Sequence, residues 1–329
     1  MRNFFLSCDW GTSTFRLRLV RVSDHTILEE IISKEGIATI FGNWKAQTGQ
    51  GTVGREEYVL KVLQNHLQAL GKKTTQSLDG IPVLISGMAS SSIGIRELPY
   101  AGLPFSLDGR DAIIQKIRPD ENRAHEVLLI SGLSTPADVM RGEETQMMGL
   151  NAVYSAGADE IVICIFPGTH SKHVQVLDGK IVDFKTYMTG ELFDLISGSS
   201  ILKEAVSPGV HDITPDDFEA FDQGIVRSVT SNILHSLFSV RVNDLFKLFG
   251  KEQNYQYLSG LLIGTELRDL LENDPGRIQL CSGSNLYPLY QRGLEKLNLK
   301  AKTSFISPEL MDSSAVEGQI KIFQQYYGG

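Results

Sequence analysis

The chain has 329 residues, 42% of them hydrophobic, and a formal net charge of −8 at pH 7. This length and apolar content can fill two cores, so we expect two domains. The negative charge and the lack of any Lys and Arg cluster argue against a nucleic-acid partner, because affinity for the phosphate backbone depends on clustered cations.

The N-terminus and the cysteines indicate the compartment. No apolar run of signal-peptide length opens the chain, and no window approaches the ~18 apolar residues that cross a bilayer. We therefore expect a cytoplasmic protein with no membrane partner. Cys8, Cys164 and Cys281 are far apart and lack CxxC spacing, which favours buried thiols over a disulfide frame or a zinc site.

The first elements are three short apolar runs, FFLSC, RLRLV and TILEEII, which predict an antiparallel meander. The first turn carries Asp9 and then Gly11, Thr12, Ser13 and Thr14. Backbone N–H groups and hydroxyls of such a turn can bind a phosphate, whereas the aspartate would repel it unless a cation intervenes. Because Mg²⁺ commonly bridges one carboxylate to nucleotide phosphates, the turn predicts a magnesium–nucleotide site. A plain hairpin with a solvated aspartate is the alternative.

A predicted helix and a small-residue loop follow. Val59, Leu63 and Leu67 recur at helical spacing within residues 55–71. The stretch VLISGMASSSIG, residues 83–94, reads as a strand that runs into a loop suited to a polyhydroxylated ligand, or into a loop that is merely flexible. The loop residues singled out are Ser86, Gly87, Met88, Ala89, Ser90 and Ser91.

The stretch MRGEETQMMGL, residues 140–150, places two acids at the start of a predicted helix. Glu143 and Glu144 would occupy its first turn, where the helix dipole favours a carboxylate and where a general base could act on a hydroxyl. The alternative is that both acids only stabilise the helix terminus. Arg141 offers a planar fork for a carboxylate or a phosphate.

Residues 160–191 repeat the plan of the N-terminus, with an apolar strand, a turn and a return strand. Gly168 and Thr169 form this second turn, and Lys172 after them is a mobile point charge suited to a transferring phosphoryl group. The alternative is a tight turn in which His170 and His173 are partly buried imidazoles. Two such turns, each opening half of the chain, could grip one nucleotide.

The C-terminal half adds helices and a last glycine turn. Thr214 and Pro215 predict a helix start. Gly260 and Gly264, four residues apart in an apolar helix over residues 255–271, leave a groove that admits another helix or a flat ligand. Residues 278–299 read as a strand, a turn and a helix, which suits a nucleoside or is a generic connection. The turn residues are Ser282, Gly283 and Ser284.

Taken together, these turns resemble the acetate and sugar kinase, heat-shock ATPase and actin superfamily. That resemblance implies an α/β fold of two ribonuclease-H-like domains, each a mixed sheet flanked by helices, around a nucleotide cleft. More narrowly, the chain resembles the 2-dehydro-3-deoxygalactonokinase family, with matches in order from residue 8 to about residue 286. The matching motifs are DWGTSTFR, ISGMASSSIG, MRGEETQMMGL, FPGTHSKHV, YMTGELF, LSGLLIGTE and CSGSNL.

The resemblance carries expectations about domains and activity. The N-terminal domain would span residues 1–150 and the C-terminal domain residues 151–329, with a terminal helix over residues 313–327 that packs back on the first domain. The implied reaction transfers the γ-phosphoryl group of ATP, with Mg²⁺, to the 6-hydroxyl of 2-dehydro-3-deoxy-D-galactonate. Oligomeric state is open between a monomer and a homodimer.

The resemblance also implies roles for the residues singled out above. Asp9 would hold a magnesium-bound water, Glu143 is favoured as the base over Glu144, and Arg141 would anchor the substrate carboxylate, with Lys172 sharing that duty or lying over the phosphate. The loop from Ser86 to Ser91 would line the sugar-acid pocket. The nucleotide would contact Gly11, Thr12, Ser13, Thr14, Gly168, Thr169, His170, Gly260, Gly264, Ser282, Gly283 and Ser284.

One departure and three alternatives accompany these expectations. The strand before the second turn ends in FPG, where many superfamily members carry an aspartate, so a second magnesium carboxylate from that hairpin is in doubt. The alternatives are a kinase for another sugar or sugar acid, such as 2-dehydro-3-deoxygluconate, a phosphohydrolase, and a non-catalytic actin-like nucleotide switch.

Overall fold

The computed structural model describes residues 3–47, 53–121, 123–150, 160–209, 212–273 and 276–328. The chain divides into two compact units. Unit 1 comprises Met1–Ser155, Gly179–Asp183 and Leu310–Gly329, and unit 2 comprises Ala156–Asp178 and Phe184–Glu309. The predicted boundary after residue 150 adjoins residues 151–159, which lie outside the described residues.

Groups of consecutive strands are separated by helices along the chain. The strands are β1 Phe4–Trp10, β2 Phe15–Arg21, β3 Ile27–Ser33, β4 Val83–Gly87, β5 Phe105–Ser106, β6 Ile114–Ile117, β7 Val127–Ile130, β8 Leu133–Ser134, β9 Val139–Met140, β10 Val162–Phe166, β11 Ser171–Leu177, β12 Lys180–Tyr187, β13 Arg277–Leu280 and β14 Thr303–Phe305. The helices are α1 Ile37–Gln47, α2 Arg55–Gly71, α3 Glu143–Gly149, α4 Thr189–Ser199, α5 Pro215–Thr230, α6 Ile233–Leu245, α7 Lys251–Asn273, α8 Tyr287–Lys296 and α9 Pro308–Tyr327.

Unit 1 is built on a mixed sheet in the order β3-β2-β1-β4-β7-β6. The predicted meander is confirmed, because β2 pairs antiparallel with both β1 and β3. Parallel pairing joins β1 to β4 and β4 to β7. One face of this sheet packs on α2, whose predicted apolar positions Val59, Leu63 and Leu67 are buried in the core.

Helix α9 covers the other face of the same sheet. Its Phe323 ring lies 5.3 Å from that of Phe5 on β1. The Gln319 amide donates to the Cys8 carbonyl oxygen at 3.0 Å and to the Ser86 hydroxyl at 2.9 Å. These contacts place a polar side chain of α9 at the junction of β1 and β4, where it satisfies buried acceptors.

Two glycines let α9 approach α3 closely. A Cβ atom added to Gly318 would lie 1.9 Å from the carbonyl oxygen of Thr145, and one added to Gly149 would lie 1.9 Å from that of Ser314. Both distances are far below van der Waals contact, so only glycine fits at either position. The position of α3 therefore depends on backbone contact with α9.

Unit 2 repeats the plan with a sheet that orders its strands β14-β13-β10-β11-β12. The predicted second hairpin is confirmed by antiparallel pairing of β10 with β11, and the parallel partner of β10 is β13. The turn before β12 has positive φ at Asp178 and Gly179, as an Asp-Gly hairpin requires. Each unit is thus a mixed sheet with helices, the predicted α/β fold class.

The helices of unit 2 confirm one predicted cap and decide one open alternative. Thr214 accepts from the Asp217 N–H in a capping box, with Pro215 in the first turn. A Cβ atom on Gly260 would lie 2.1 Å from the Phe221 carbonyl oxygen on α5. A Cβ atom on Gly264 would lie 2.3 Å from the Ser228 hydroxyl, also on α5. The groove between these glycines therefore holds another helix.

The three cysteines are free and buried, as predicted. Within the part of the chain that the structure describes, no helix is long and apolar enough to span a bilayer.

We expect Gly318→Ala to lower the free energy of unfolding by about 1–3 kcal/mol, because the methyl group overlaps the α3 backbone. The matched control is Gly42→Ala on α1, where an added Cβ meets nothing within 4 Å. That variant should gain about 0.5–1 kcal/mol from its better helix propensity. Thermal and urea unfolding of both variants measure the difference. An equal effect of the two substitutions would contradict the backbone contact.

Candidate active site

The first candidate site lies in unit 1 where β1 and β4 end side by side. Parallel register pairs Asp9 with Ser86 and Trp10 with Gly87. Gly87 has φ of 90°, and a Cβ atom there would lie 2.7 Å from the Trp10 carbonyl oxygen. Gly142, with φ of 111°, brings the start of α3 to the same edge, since its Cβ position lies 3.4 Å from the Gly87 Cα atom. The motifs around residues 9, 87 and 142 thus meet.

The two turns that the sequence predicts to bind phosphate are called the first phosphate turn (residues 11–14) and the second phosphate turn (residues 167–170). Helix α1 packs against the first of them. The Gly11 N–H donates to the Thr14 carbonyl oxygen at 2.9 Å. The first N–H groups of α1 donate to the carbonyl oxygens of Gly11 and Thr12 at 3.0 and 3.1 Å. Ser13 and Thr14 are exposed. The turn therefore directs carbonyl oxygens toward the helix and leaves its hydroxyl groups accessible to a ligand.

Asp9 is an acid in a partly buried position, with 24% of its side chain exposed. Its nearest cation is the Arg16 guanidinium, 3.7 Å from the carboxylate. Burial raises the pKa of Asp9 above its ordinary value; Arg16 and Arg18 oppose this rise, and the charge of Glu143 adds to it. Asp9 and Glu143 are therefore close enough to interact electrostatically.

The two adjacent glutamates of α3 have different environments. Glu144 is 1% exposed, and its carboxyl group accepts from the Gly142 N–H at 2.7 Å and from the Thr145 hydroxyl at 3.0 Å. Burial, followed by the charge of Glu143, raises the pKa of Glu144 to about 8. Glu143 keeps part of its side chain exposed. Glu144 thus closes the helix start as a neutral group, while Glu143 is partly exposed and interacts electrostatically with Asp9.

Arg141 is pre-oriented by three neighbours. One terminal nitrogen donates to the Ser90 hydroxyl and the other to the Leu98 carbonyl oxygen, each at 2.9 Å. The guanidinium carbon lies 4.0 Å from the centre of the Tyr100 ring. The Nε atom is buried with no hydrogen-bond partner in the structure. A guanidinium held this way can bind an anion with little loss of side-chain entropy.

The serines at the end of β4 and in the loop after it are buried, although they were expected to line the sugar-acid pocket. Ser86, Ser90 and Ser91 are at most 5% exposed. The hydroxyls of Ser90 and Ser91 donate to backbone oxygens of Gly87 and Met88 at 3.2 and 2.7 Å. Ala89 is also buried in the core. The hydroxyl hydrogens of Ser90 and Ser91 are thus used within the loop, and the Ser90 hydroxyl oxygen also accepts from Arg141 and helps to orient it.

The second phosphate turn, residues 167–170 of unit 2, is supported by the start of α4. The Glu191 N–H donates to the Thr169 carbonyl oxygen at 3.0 Å, and the Glu191 carboxylate lies 2.5 Å from the His170 ring. A Cβ atom on Gly190 would lie 2.6 Å from the Gly168 carbonyl oxygen. The motif MTGE therefore packs directly against PGTH, an association that only the fold creates.

Lys172 corrects the expectation of a mobile charge. Its side chain is 4% exposed, and its ammonium group donates to the His170 carbonyl oxygen at 2.8 Å. Lys172 on β11 pairs with Phe166, the last residue of β10, so it lies at the end of the hairpin next to the turn. Its side chain packs beneath the turn. In this structure the ammonium group stabilises the turn from inside.

The turn Ser282–Ser284 lies at the same sheet edge as the second phosphate turn. Parallel register pairs Ile165 with Leu280, and the Cys281 N–H donates to the Ile165 carbonyl oxygen at 2.8 Å. Gly283 and Ser284 are exposed, and a Cβ atom on Gly283 would meet nothing within 4 Å. Ser282 is 1% exposed, whereas these two residues are open to a ligand. Gly260 and Gly264 are not, since α5 fills their face, and the expectation that they border adenosine is corrected.

Two residues near these sites escaped the sequence analysis. Tyr100 packs against Arg141, and Glu266 forms a buried network behind the second phosphate turn. Only Glu266 has a sequence signal, since it is an acid on the apolar side of LLIGTELRDLL. Among the described residues, no group of three or more His, Cys, Asp or Glu side chains could hold a metal ion.

Comparison with known proteins decides the family. A sequence model described as 2-keto-3-deoxy-galactonokinase matches residues 9–311. The chain belongs to this family. Membership makes it an enzyme, a phosphotransferase of the kinase type that uses ATP, and it agrees with the motifs that the sequence analysis grouped together.

Individual relatives extend the match over nearly the whole chain. A protein of Rhizobium meliloti (strain 1021) named "Probable 2-dehydro-3-deoxygalactonokinase DgoK1" is 33% identical over 310 residues, 91% of each chain. The 2-dehydro-3-deoxygalactonokinase of Escherichia coli (strain K12) is 29% identical and covers 89% of this chain and 90% of its own. A crystal structure of a "putative 2-dehydro-3-deoxygalactonokinase protein" from Sinorhizobium meliloti superposes with a TM-score of 0.79 and 28% identity, over 98% of this chain and 97% of its own.

The environment of Glu144 predicts a pH effect on stability. Its folded pKa of about 8 lies above its ordinary value of 4.5, so the folded state holds a proton that the unfolded state releases. The free energy of unfolding should therefore fall as pH rises from about 5 to about 8. Glu144→Gln should remove this slope.

Thermal unfolding at several pH values across that range measures the effect. The control is Glu57→Gln, an exposed position on α2, which should keep the wild-type slope. If wild type and Glu144→Gln change in parallel with pH, Glu144 is not the protonated group.

Proposed function

We propose that the chain transfers the γ-phosphoryl group of ATP to the 6-hydroxyl of 2-dehydro-3-deoxy-D-galactonate. The observation that carries the proposal is the junction at the ends of β1 and β4. Asp9, the first phosphate turn and the start of α3 with Glu143 meet there. The names of the two curated relatives support this acceptor among sugar acids.

Glu143 is the base in this proposal. Its carboxylate would accept the proton of the acceptor hydroxyl as that oxygen attacks phosphorus and the bond to the ADP oxygen breaks. Glu144 is a poor candidate because its carboxyl group is buried, and because it already accepts two hydrogen bonds. The structure therefore supports the first of the two assignments that the sequence left open.

Arg141 would bind the carboxylate of the sugar acid. Contacts with Ser90, Leu98 and Tyr100 hold the guanidinium in place, on the residue that precedes Gly142 in the chain. Binding of one end of the acceptor there would position the far hydroxyl for reaction, which lowers the entropic part of the barrier.

The residues present fit a magnesium ion at Asp9. This carboxylate is partly exposed, its pKa is raised by burial, and a bound cation would stabilise its charged form. A single carboxylate suits Mg²⁺, which keeps most of its waters and takes its other ligands from phosphates. Bound at this position, magnesium would supply neutralisation of phosphate charge.

Phosphate and nucleoside contacts are assigned to three turns. In unit 1, residues 11–14 would bind phosphate through backbone N–H groups and hydroxyls, and in unit 2, considered by itself, residues 167–170 form a turn of the same kind. Gly283 and Ser284, exposed before α8, would lie against the nucleoside. A loose phosphoryl transition state needs positioning and charge neutralisation more than covalent help, and these turns offer both.

A coupled ADP-release assay tests the acceptor. With ATP and magnesium, we expect fast turnover on 2-dehydro-3-deoxygalactonate, and slow or no turnover on its gluconate epimer, on glycerol and without acceptor. Product mass should show one added phosphate. Turnover confined to the epimer would move the proposal to another sugar acid. ADP release that is indifferent to every acceptor would point to a hydrolase or a nucleotide switch and overturn it.

The base assignment predicts that Glu143→Gln lowers kcat by at least ~10²-fold, because the amide cannot accept the proton. The matched control is Glu144→Gln, the same isosteric change at the neighbouring position, which should cost much less. Steady-state kinetics and a single-turnover measurement with saturating acceptor separate the chemical step from binding. A larger kcat loss in Glu144→Gln would reverse the two roles.

A further inference from the structure

A buried carboxylate in unit 2 has no role in the reaction proposed above. Glu266 lies on α7 and is 2% exposed. One oxygen accepts from the Ser171 hydroxyl at 2.6 Å and lies 3.0 Å from the His173 ring nitrogen. The other accepts from the Thr189 hydroxyl at 2.5 Å and from the Tyr290 hydroxyl at 2.7 Å. A single side chain thus joins β11, α4, α7 and α8.

Two of these donors border the second phosphate turn. Ser171 directly follows the turn as the first residue of β11, and Thr189 is the first residue of α4. The next residues of α4 contact the turn: the Cβ position of Gly190 lies 2.8 Å from the Thr169 Cα atom, and the Glu191 N–H donates to the Thr169 carbonyl oxygen at 3.0 Å. The Glu266 carboxylate therefore fixes the distance between Ser171, which follows the turn, and the start of α4, which contacts it.

A third donor extends the network to the other nucleotide segment. Tyr290 belongs to α8, the helix that follows the turn Ser282–Ser284, and it is 1% exposed. Its hydroxyl shares an oxygen of Glu266 with Thr189. The segments assigned to phosphate and nucleoside in unit 2 are thus held by one charged group.

The four donors around Glu266 favour the ionised form of its carboxylate. Burial alone would raise the pKa of Glu266, but the hydrogen bond and charge of His173 and the hydrogen bonds of Ser171 and Thr189 outweigh it, so the pKa lies below its ordinary value. Burial and the charge of Glu266 raise the pKa of Tyr290 well above its ordinary value, which keeps its O–H as a donor. The ring of Tyr187 packs against that of His173, with 4.6 Å between the ring centres.

We propose that Glu266 is a positioning residue for the nucleotide: without touching ATP, it holds the second phosphate turn and the start of α8 in the arrangement that binds it. This inference rests on the proposed function only for the assignment of these turns to a nucleotide. A merely structural role predicts that Glu266 affects stability alone. A positioning role predicts an additional, selective loss of nucleotide affinity.

Glu266→Gln tests the proposal. The amide keeps the shape of the side chain but turns one acceptor oxygen into a donor that faces other donors, so two hydrogen bonds are lost and the turn relaxes. We expect the Kd for ADP with magnesium, measured by titration calorimetry without acceptor, to rise by about tenfold or more, with KM for the sugar acid changed less than about twofold.

The matched control is Asn254→Ala, another buried polar residue on α7. Asn254 is 0% exposed, and its amide donates to the carbonyl oxygens of Ala205 and Val240 at 3.0 and 2.7 Å, remote in sequence from both turns. This variant should lower the thermal midpoint without weakening ADP binding. Equal losses of ADP affinity in Asn254→Ala and Glu266→Gln, or an unchanged Kd in Glu266→Gln, would overturn the proposal.

Milder variants cover the case in which Glu266→Gln does not fold. Ser171→Ala and Thr189→Val each remove one donor, and each should weaken ADP binding by about threefold or more. Unchanged affinity in both would overturn the inference. A wild-type protein that binds ADP but phosphorylates no sugar acid would refute the proposed substrate and leave the Glu266 result valid. A wild-type protein that does not bind ADP would refute both.

Discussion

Parallel pairing of two strands that are distant in sequence is the constraint on which the candidate sites depend. In unit 1 it joins β1 to β4, and in unit 2 it joins β10 to β13. Because carboxyl ends of parallel strands meet at one edge, each pairing brings two glycine- or serine-rich segments together. Antiparallel hairpins alone would leave the first turn of each unit without its partner loop. Each candidate site therefore depends on a crossover connection between parallel strands, and no single motif forms it alone.

Buried carboxylates on helices α3 and α7 show how the local environment sets the use of the same chemical group. Glu144 is buried beside another acid, and its pKa rises to about 8. Glu266 is buried among four donors, and its pKa falls. A neutral carboxyl group can close a helix start, whereas an ionised one can hold several elements in place. Neither behaviour follows from residue type.

Close backbone contacts at glycine position the helices that carry these groups. Gly318 and Gly149 bring α9 and α3 together, and Gly190 brings α4 against the second phosphate turn. Such contacts tolerate no side chain, so they define distances more tightly than packing of flexible side chains would. These glycine contacts position the two acids of α3, and they place the start of α4 beside the second phosphate turn.

Short-range patterns in the amino-acid sequence were enough to predict the local elements, and its motifs were enough to indicate the family. Alternation in FFLSC and RLRLV, the Asp-Gly turn before β12 and the capping box at Thr214 are local signals, and each acts through residues a few positions apart. Other features of the protein depend on contacts between residues that are distant in the chain, and these required the fold. In unit 2, these features are the helix against Gly260, the buried position of Lys172 and the four donors around Glu266, and they depend on β11, α4, α5, α7 and α8. In unit 1, the different burial of Glu143 and Glu144 depends on the packing of α3, which no local pattern predicts. Side-chain environment is a property of packing, and packing partners are set by the crossover connections rather than by neighbours in the chain.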